Sequence, residues 1–278
     1  MTLVGMLNIR KDAGWTSHDV VARVRRVASE RRVGHAGTLD PLAEGVLVVL
    51  LGRATRLADL VQAQPKTYVA QIALGAATST DDAEGEVIAT ADVPPFDLEA
   101  VLPRFVGDIL QVPPAYSALK IDGQRAYALA RRGDIVTLDP RPVAIYDLRV
   151  LALDPLTLEV TCSKGTYIRS LARDIAQALG TVGHLAHLMR TRVGPFTLDR
   201  AVSLDGLDVA QSLLPPDTAV PDAPRVDLSE SETVRIANGQ AVPAHGLHAD
   251  VVRVYDPSDR LVCLARADGD QLQPRLML

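Results

Sequence analysis

Gly34-His35-Ala36-Gly37-Thr38-Leu39-Asp40-Pro41-Leu42-Ala43-Glu44-Gly45, followed directly by Val46-Leu47-Val48-Val49-Leu50-Leu51, is the stretch on which the fold turns. Gly34, Gly37 and Pro41 are loop signals, so residues 33–44 read as a loop. The six apolar residues after it read as a buried strand. Upstream, residues 3–9 are apolar enough for a strand. Thr16 or Ser17 then offers an N-cap, and Val20, Val21, Val24 and Val27 recur at helical spacing, with Arg23 and Arg26 on another face. Downstream, residues 66–74 alternate, with Tyr68, Ala70, Ile72 and Leu74 on one side, as a strand requires. Residues 97–106 predict a short helix and 157–163 a strand. A helix follows over 168–179, with Gly180 beyond its end.

Further out, residues 112–142 mix prolines, glycines and arginines and read as an exposed insertion. Pro215, Pro216, Pro221 and Pro224 make 215–224 a linker. After it, Ser229 caps a short helix ending at Asn238 and Gly239, and strand-like runs follow at 250–255 and 260–265. Helical and strand signals do not alternate strictly. The fold class expected is therefore α+β with a largely antiparallel mixed sheet and flanking helices. The division is a body over 1–214, the linker, and a small β-rich unit over 225–278.

Composition narrows the function. The chain has 278 residues, 47% of them hydrophobic, enough for one large core and one small one. Its net charge of −5 argues against nucleic acid until the distribution is read. Residues 1–60 hold nine Lys or Arg against six Asp or Glu, and residues 111–200 hold twelve against eight. The acidic excess lies in 61–110 and 201–278. Two basic segments that converge in space give an acidic protein a cationic face. The apolar run at 46–51 is far short of the roughly 20 residues that span a bilayer, and residues 1–11 lack the pattern of a secretory signal. Cys162 and Cys263 make neither a disulfide framework nor a zinc cluster, and point to a reducing cytoplasm.

For chemistry, the glycines and Pro41 hold Asp40 in one place, although an Asp-Pro in a glycine loop is often only a turn. His184 and His187 are three apart, as are His245 and His248, but neither pair has a third ligand nearby, so no metal is expected. Asp81, Asp82, Glu84 and Glu86 read as a solvated acidic turn without the glycine of a calcium loop. No nucleotide-type glycine loop appears.

Residues 34–41 resemble the catalytic loop of the bacterial T-loop pseudouridine synthases, the TruB type. Lys11, Gly14, Thr16 and Ser17 match that family's N-terminal motif. Gly52-Arg53-Ala54-Thr55 follows the loop, and Lys66-Thr67-Tyr68 matches the segment of the active-site tyrosine. Residues 113–120 match the start of the RNA-gripping insertion, and 164–171 match the arginine motif. Leu188 falls at the active-site leucine, before Arg190 and Arg192. Two departures are visible: Arg10-Lys11-Asp12 replaces Asp-Lys-Pro, and Met189-Arg190 replaces a double arginine.

The resemblance implies a pseudouridine synthase fold with a PUA-like C-terminal domain, and isomerisation of uridine 55 in the T stem-loop of tRNA. It implies Asp40, Tyr68 and Arg169 as catalytic residues, with Arg169 the partner of the Asp40 carboxylate. It implies Lys11, His35, Tyr167 and Leu188, with Arg131 and Arg132 of the insertion, as substrate-binding residues. No cofactor, membrane or required protein partner is implied. Three alternatives stay open: a guide-RNA-dependent relative, a non-catalytic tRNA-binding protein or RNA folding chaperone, and a hydrolase built on Asp40.

Overall fold

The computed structural model describes residues 3–117, 132 and 138–278, together with the backbone pairing of 120–121 with 124–125 inside the insertion. Its organising element is the strand Glu44–Leu51. Leu47, Val49 and Leu51 enter one core while Val46, Val48 and Leu50 enter a second on the opposite face. A strand buried on both sides must be apolar throughout, which is why this run has no polar alternation.

Around it lies a ten-stranded sheet. Along its main path the order is Val202–Ser203, Gly5–Lys11, Glu44–Leu51, Gly183–Val193, Lys66–Leu74, Leu156–Cys162, Arg141–Leu153 and Gly107–Gln111. Most neighbours are antiparallel. The exceptions are Gly183–Val193 against Glu44–Leu51 and the short Val202–Ser203 against Gly5–Lys11, so the sheet is mixed and largely antiparallel. Two helices cover its first face. Ser17–Val27 starts at a capping box, in which the Thr16 side chain accepts from Asp19 N at 3.1 Å and the Asp19 carboxylate accepts from Thr16 N at 2.9 Å. It buries Val20, Val21 and Val24, and the second helix, Ile168–Ala178, buries Leu171, Ala172 and Ile175. On the other face Leu57, Val61 and Phe196 share a core with Leu264 of a separate five-stranded sheet, which runs through residues 225–277.

Several expectations needed correction. Residues 33–35 are a short strand paired with Glu44–Leu51 rather than loop. The short helix is Leu98–Val101 continued by a 3-10 turn, Leu102–Phe105. The strands Arg141–Leu153 and Gly183–Val193 had no counterpart in the sequence reading. The proline-rich segment is packed as well as connecting. Ala219 is buried, the Tyr255 hydroxyl donates to the Asp217 carboxylate, and Arg253 Nε donates to Ala223 O at 2.9 Å. From the far end of the second sheet, Met277 O accepts from Arg56 at 2.9 Å.

Candidate active site

Asp40 lies on a loop whose backbone is tied down from behind. The carbonyls of Gly37 and Thr38 accept from Arg190 Nη2 and Nη1 at 3.0 and 3.3 Å. Leu39 O accepts from the Ser17 hydroxyl at 3.1 Å, and Leu39 N donates back to that oxygen at 2.9 Å. Asp40 O accepts from Ala43 N at 3.1 Å, and Pro41 O from Gly14 N at 2.8 Å and Lys11 Nζ at 3.3 Å. Five successive carbonyls therefore have donors, and a loop so satisfied has little freedom left. Gly45 closes it. A Cβ there would sit 2.2 Å from Arg190 O, so only glycine lets the parallel strand approach.

Lys11 was expected to bind substrate. It is instead fully buried, and its ammonium also donates to the carbonyls of Trp15 and Asp12 at 2.7 and 3.0 Å. Burial pushes its pKa down to about 8, opposed by the nearby Asp40 carboxylate. Its place is behind the loop.

In front of the loop, Arg169 Nε stands 3.0 Å from Asp40 Oδ2, a close ion pair rather than a straight hydrogen bond. The same guanidinium lies 3.4 Å from Asp82 Oδ2 and donates to Thr80 O and Tyr116 O, each at 3.1 Å. Asp82 is buried, and its other oxygen accepts from Thr80 Oγ1 at 2.5 Å and Glu84 N at 3.1 Å. One turn along the helix, Arg173 takes Asp81 at 2.8 Å. The acidic turn is thus the anchor of two arginines, not a solvated bend.

Asp40, Arg169, Tyr68, Tyr167 and Leu188 all line one cleft of about 1050 Å³. Tyr68 is nearly buried, and burial holds its hydroxyl pKa above the usual phenol range, opposed by Arg190. Tyr167 precedes the helix Ile168–Ala178, and its backbone N donates to Gln111 Oε1 at 2.8 Å. Burial raises its hydroxyl pKa too, against a hydrogen bond with Ser117. Lys66 lines the floor, donates to Gln64 O at 2.7 Å, and is lowered by burial to about 8. His35 is half-buried outside this cleft. Its ring meets His18 edge-on at 5.7 Å, and its Nδ1 is buried with no hydrogen-bond partner among the described residues.

Of the insertion, Arg131 lies outside the described residues, as do the side chains of Lys120 and Arg125, whereas Arg132 is exposed. Two of the four histidines weighed as metal ligands have other partners: His184 Nδ1 is 2.8 Å from Ala76 O, and His187 Nε2 is 3.0 Å from Glu44. Sequence reasoning missed Asp82 and Arg190 as parts of the site. Arg190 had a signal, its place two residues after Leu188. Asp82 had none beyond its charge.

Comparisons with known proteins give the chain's family. The model of the TruB family pseudouridylate synthase N-terminal domain matches residues 25–168. The tRNA pseudouridylate synthase B C-terminal domain matches 169–219, and the C-terminal domain of tRNA pseudouridine synthase II matches 224–277. The tRNA pseudouridine synthase B of Mycobacterium tuberculosis (strain ATCC 25618 / H37Rv) is 46% identical over 278 residues, covering 96% of this chain and 93% of its own. That of Thermobifida fusca (strain YX) is 45% identical over 284 residues, covering 97% of each. Among solved structures, a Cbf5–Nop10–Gar1 complex matches with a TM-score of 0.74 and 28% identity, over 99% of this chain and 84% of that one. An H/ACA ribonucleoprotein bound to a substrate RNA containing 2′-deoxyuridine matches with a TM-score of 0.74 and 26% identity, over 98% and 84%.

Proposed function

The chain belongs to the TruB family of pseudouridylate synthases, and from that premise we propose that the uridine it isomerises in tRNA is uridine 55 of the T loop, with Asp40, Tyr68 and Arg169 as the catalytic residues. The reaction breaks the C1′–N1 glycosidic bond, turns the uracil and joins C5 to C1′. C5 gives up a proton and N1 gains one, so the net change is isomerisation and needs neither oxidant nor energy source. A carboxylate suits it. Asp40 either attacks covalently, or stabilises a cationic sugar, or assists deprotonation at the ribose.

The observation that carries the reading is the pairing of Asp40 with Arg169 at 3.0 Å, in a cleft shared with Tyr68. Arg169 pairs with the carboxylate and fixes its direction. The target base reaches the cleft by leaving its stack, which costs a few kcal/mol. Tyr68 then stacks on the uracil, and its raised pKa keeps its proton available at neutral pH. Leu188 and Tyr167 supply the rest of the base pocket. His35 fills the gap that the flipped base leaves in the RNA. Arg131 and Arg132 grip phosphates from the insertion at about 112–142. Lys11 serves the loop from behind.

Residues 1–214 form the catalytic unit, 215–224 the linker and 225–278 a PUA-like RNA-binding unit. The enzyme works in the cytoplasm on the T stem-loop without a required protein partner or cofactor. In support, no helix among the described residues is long and apolar enough to cross a membrane, and both cysteines are free and buried.

The test incubates an unmodified tRNA transcript with the protein and maps pseudouridine at every position. Product at position 55 alone is expected. Product at another uridine overturns the site assignment. Tight binding with no product favours the non-catalytic tRNA-binding protein or RNA chaperone.

A further inference from the structure

Arg190 is among the largest fully buried side chains described, with 1% of its surface exposed. Burying a guanidinium is costly unless its donors are matched, and an apolar side chain would fill the same space without that cost. Its contacts show what the charge is used for. Nε donates to Val46 O at 2.7 Å, in the strand that leaves the catalytic loop. Nη1 and Nη2 fork onto Thr38 O and Gly37 O. Two successive carbonyls reach one guanidinium here because Gly37 sits at φ +98°, and a Cβ added there would lie 3.8 Å from Nη1. On its other side, Arg190 is the antiparallel partner of Tyr68. Both line the same cleft. Its own backbone is locked against Gly45 by the parallel pairing of the two strands.

We infer that Arg190 is a positioning residue for the isomerisation: one planar fork holds the Asp40 loop and the Tyr68 phenol at a fixed spacing, and orients the phenol. The Arg190 side chain hydrogen-bonds the Tyr68 side chain, and a donor at the phenol oxygen occupies a lone pair and leaves the O–H proton to face the cleft. A lysine cannot do this, because its ammonium is a point donor without the fixed plane of the guanidinium. The inference rests on the reading of Asp40 and Tyr68 as catalytic.

The test compares Arg190→Lys and Arg190→Met, alone and with Tyr68→Phe, measuring kcat, tRNA affinity and the melting midpoint. Arg190→Lys should lower kcat about 100-fold, the scale of a misplacement near 1 Å. Its tRNA affinity should stay within about threefold, since phosphate contacts lie elsewhere. In the Tyr68→Phe background the same lysine should cost a clearly smaller factor, because the hydroxyl it orients is gone. A role in stability alone gives the same factor in both backgrounds and overturns the inference, as does a folded Arg190→Lys enzyme with normal kcat. Arg190→Met should fall at least as far. If neither variant folds, Arg190 is a core residue and the assignment is wrong. Asp40→Asn run alongside separates the two readings: an active Asp40→Asn removes the catalytic premise itself, whereas an inactive one beside a normal Arg190→Lys removes only this inference.

Discussion

Two turns meet at Arg169, and they are built in opposite ways. The loop at residues 37–41 is held by its carbonyls, from behind, and offers its carboxylate outward, so that 36% of the Asp40 side chain remains exposed. The acidic turn at 79–86 does the reverse. Asp82 points inward with only 4% of its side chain exposed, and its own hydrogen bonds hold it there. The two carboxylates share one arginine but not one duty. Asp40 is open to a substrate, whereas Asp82 is closed in by the arginine and by its own turn. A carboxylate that reacts needs an open face and a fixed backbone. One that positions a cation needs a closed face and saturated oxygens.

The sharpest way to break this contrast is Asp40→Asn, which keeps the shape and removes the charge. Turnover should become undetectable while tRNA binding persists, both read on one folded preparation. Measurable turnover would put the reacting group elsewhere. Loss of binding together with activity would turn the loop into an RNA-docking element.

Tyr68→Phe tests the cleft while leaving both carboxylates in place. If the hydroxyl moves a proton, kcat should fall roughly 100- to 10,000-fold, the usual worth of general acid–base help. RNA affinity should change little. Near-normal turnover would reduce Tyr68 to a stacking surface.

Asp82→Asn probes the inward turn. Arg169 keeps Asp40 but loses its second anchor, so kcat should drop about 10- to 100-fold, short of abolition. Weakening a buried charged contact should also cost about 1–3 kcal/mol in urea unfolding. Abolished turnover at unchanged stability would give Asp82 a share in the chemistry and erase the contrast.

The smallest effect concerns pH. Lys11 is buried behind the loop with its pKa depressed to about 8, below its ordinary value of 10.5. Between those values the unfolded chain holds a proton that the folded chain lacks, so stability rises with pH there. The cost of burying the ammonium is present in full below pH 8 and fades as pH climbs toward 10.5. Relative to Lys11→Met, the protein should gain on the order of 1 kcal/mol per pH unit across this window. Parallel stability curves for the two proteins would show that Lys11 keeps its proton.

Much of this architecture is legible in local pattern. The run at 46–51 announces a strand buried on both faces, and the alternation at 66–74 places Tyr68 on the inner side. The strand Gly183–Val193 hides because His184, His187, Arg190 and Arg192 break its apolar pattern, and a register shift between Leu185 and His187 disturbs the period of two. The outer half of Arg141–Leu153 is exposed on both sides and alternates with nothing. Asp81 and Asp82 misled for a related reason. Acidic residues in a turn normally face water, and what draws these inward is a pair of arginines about ninety residues away. Local spacing carries no record of such a partner. The family motifs located Asp40, Tyr68 and Arg169, but motif matching cannot say which donors stand behind a loop.

The tie between Arg190 and the loop has a consequence for how the protein comes into being. The carbonyls of Gly37 and Thr38 wait for a donor that follows them by 153 and 152 residues. The strand that brings it also inserts between Glu44–Leu51 and Lys66–Leu74, both synthesised long before. Contacts so distant along the chain form late and slowly, because loop-closure entropy must be met first. A ribosome that has released the first half of the chain has made Asp40 but not its setting. Until the strand Gly183–Val193 emerges, the central gap in the sheet stays open, and the nascent enzyme has two unfilled strand edges to protect from each other and from neighbours.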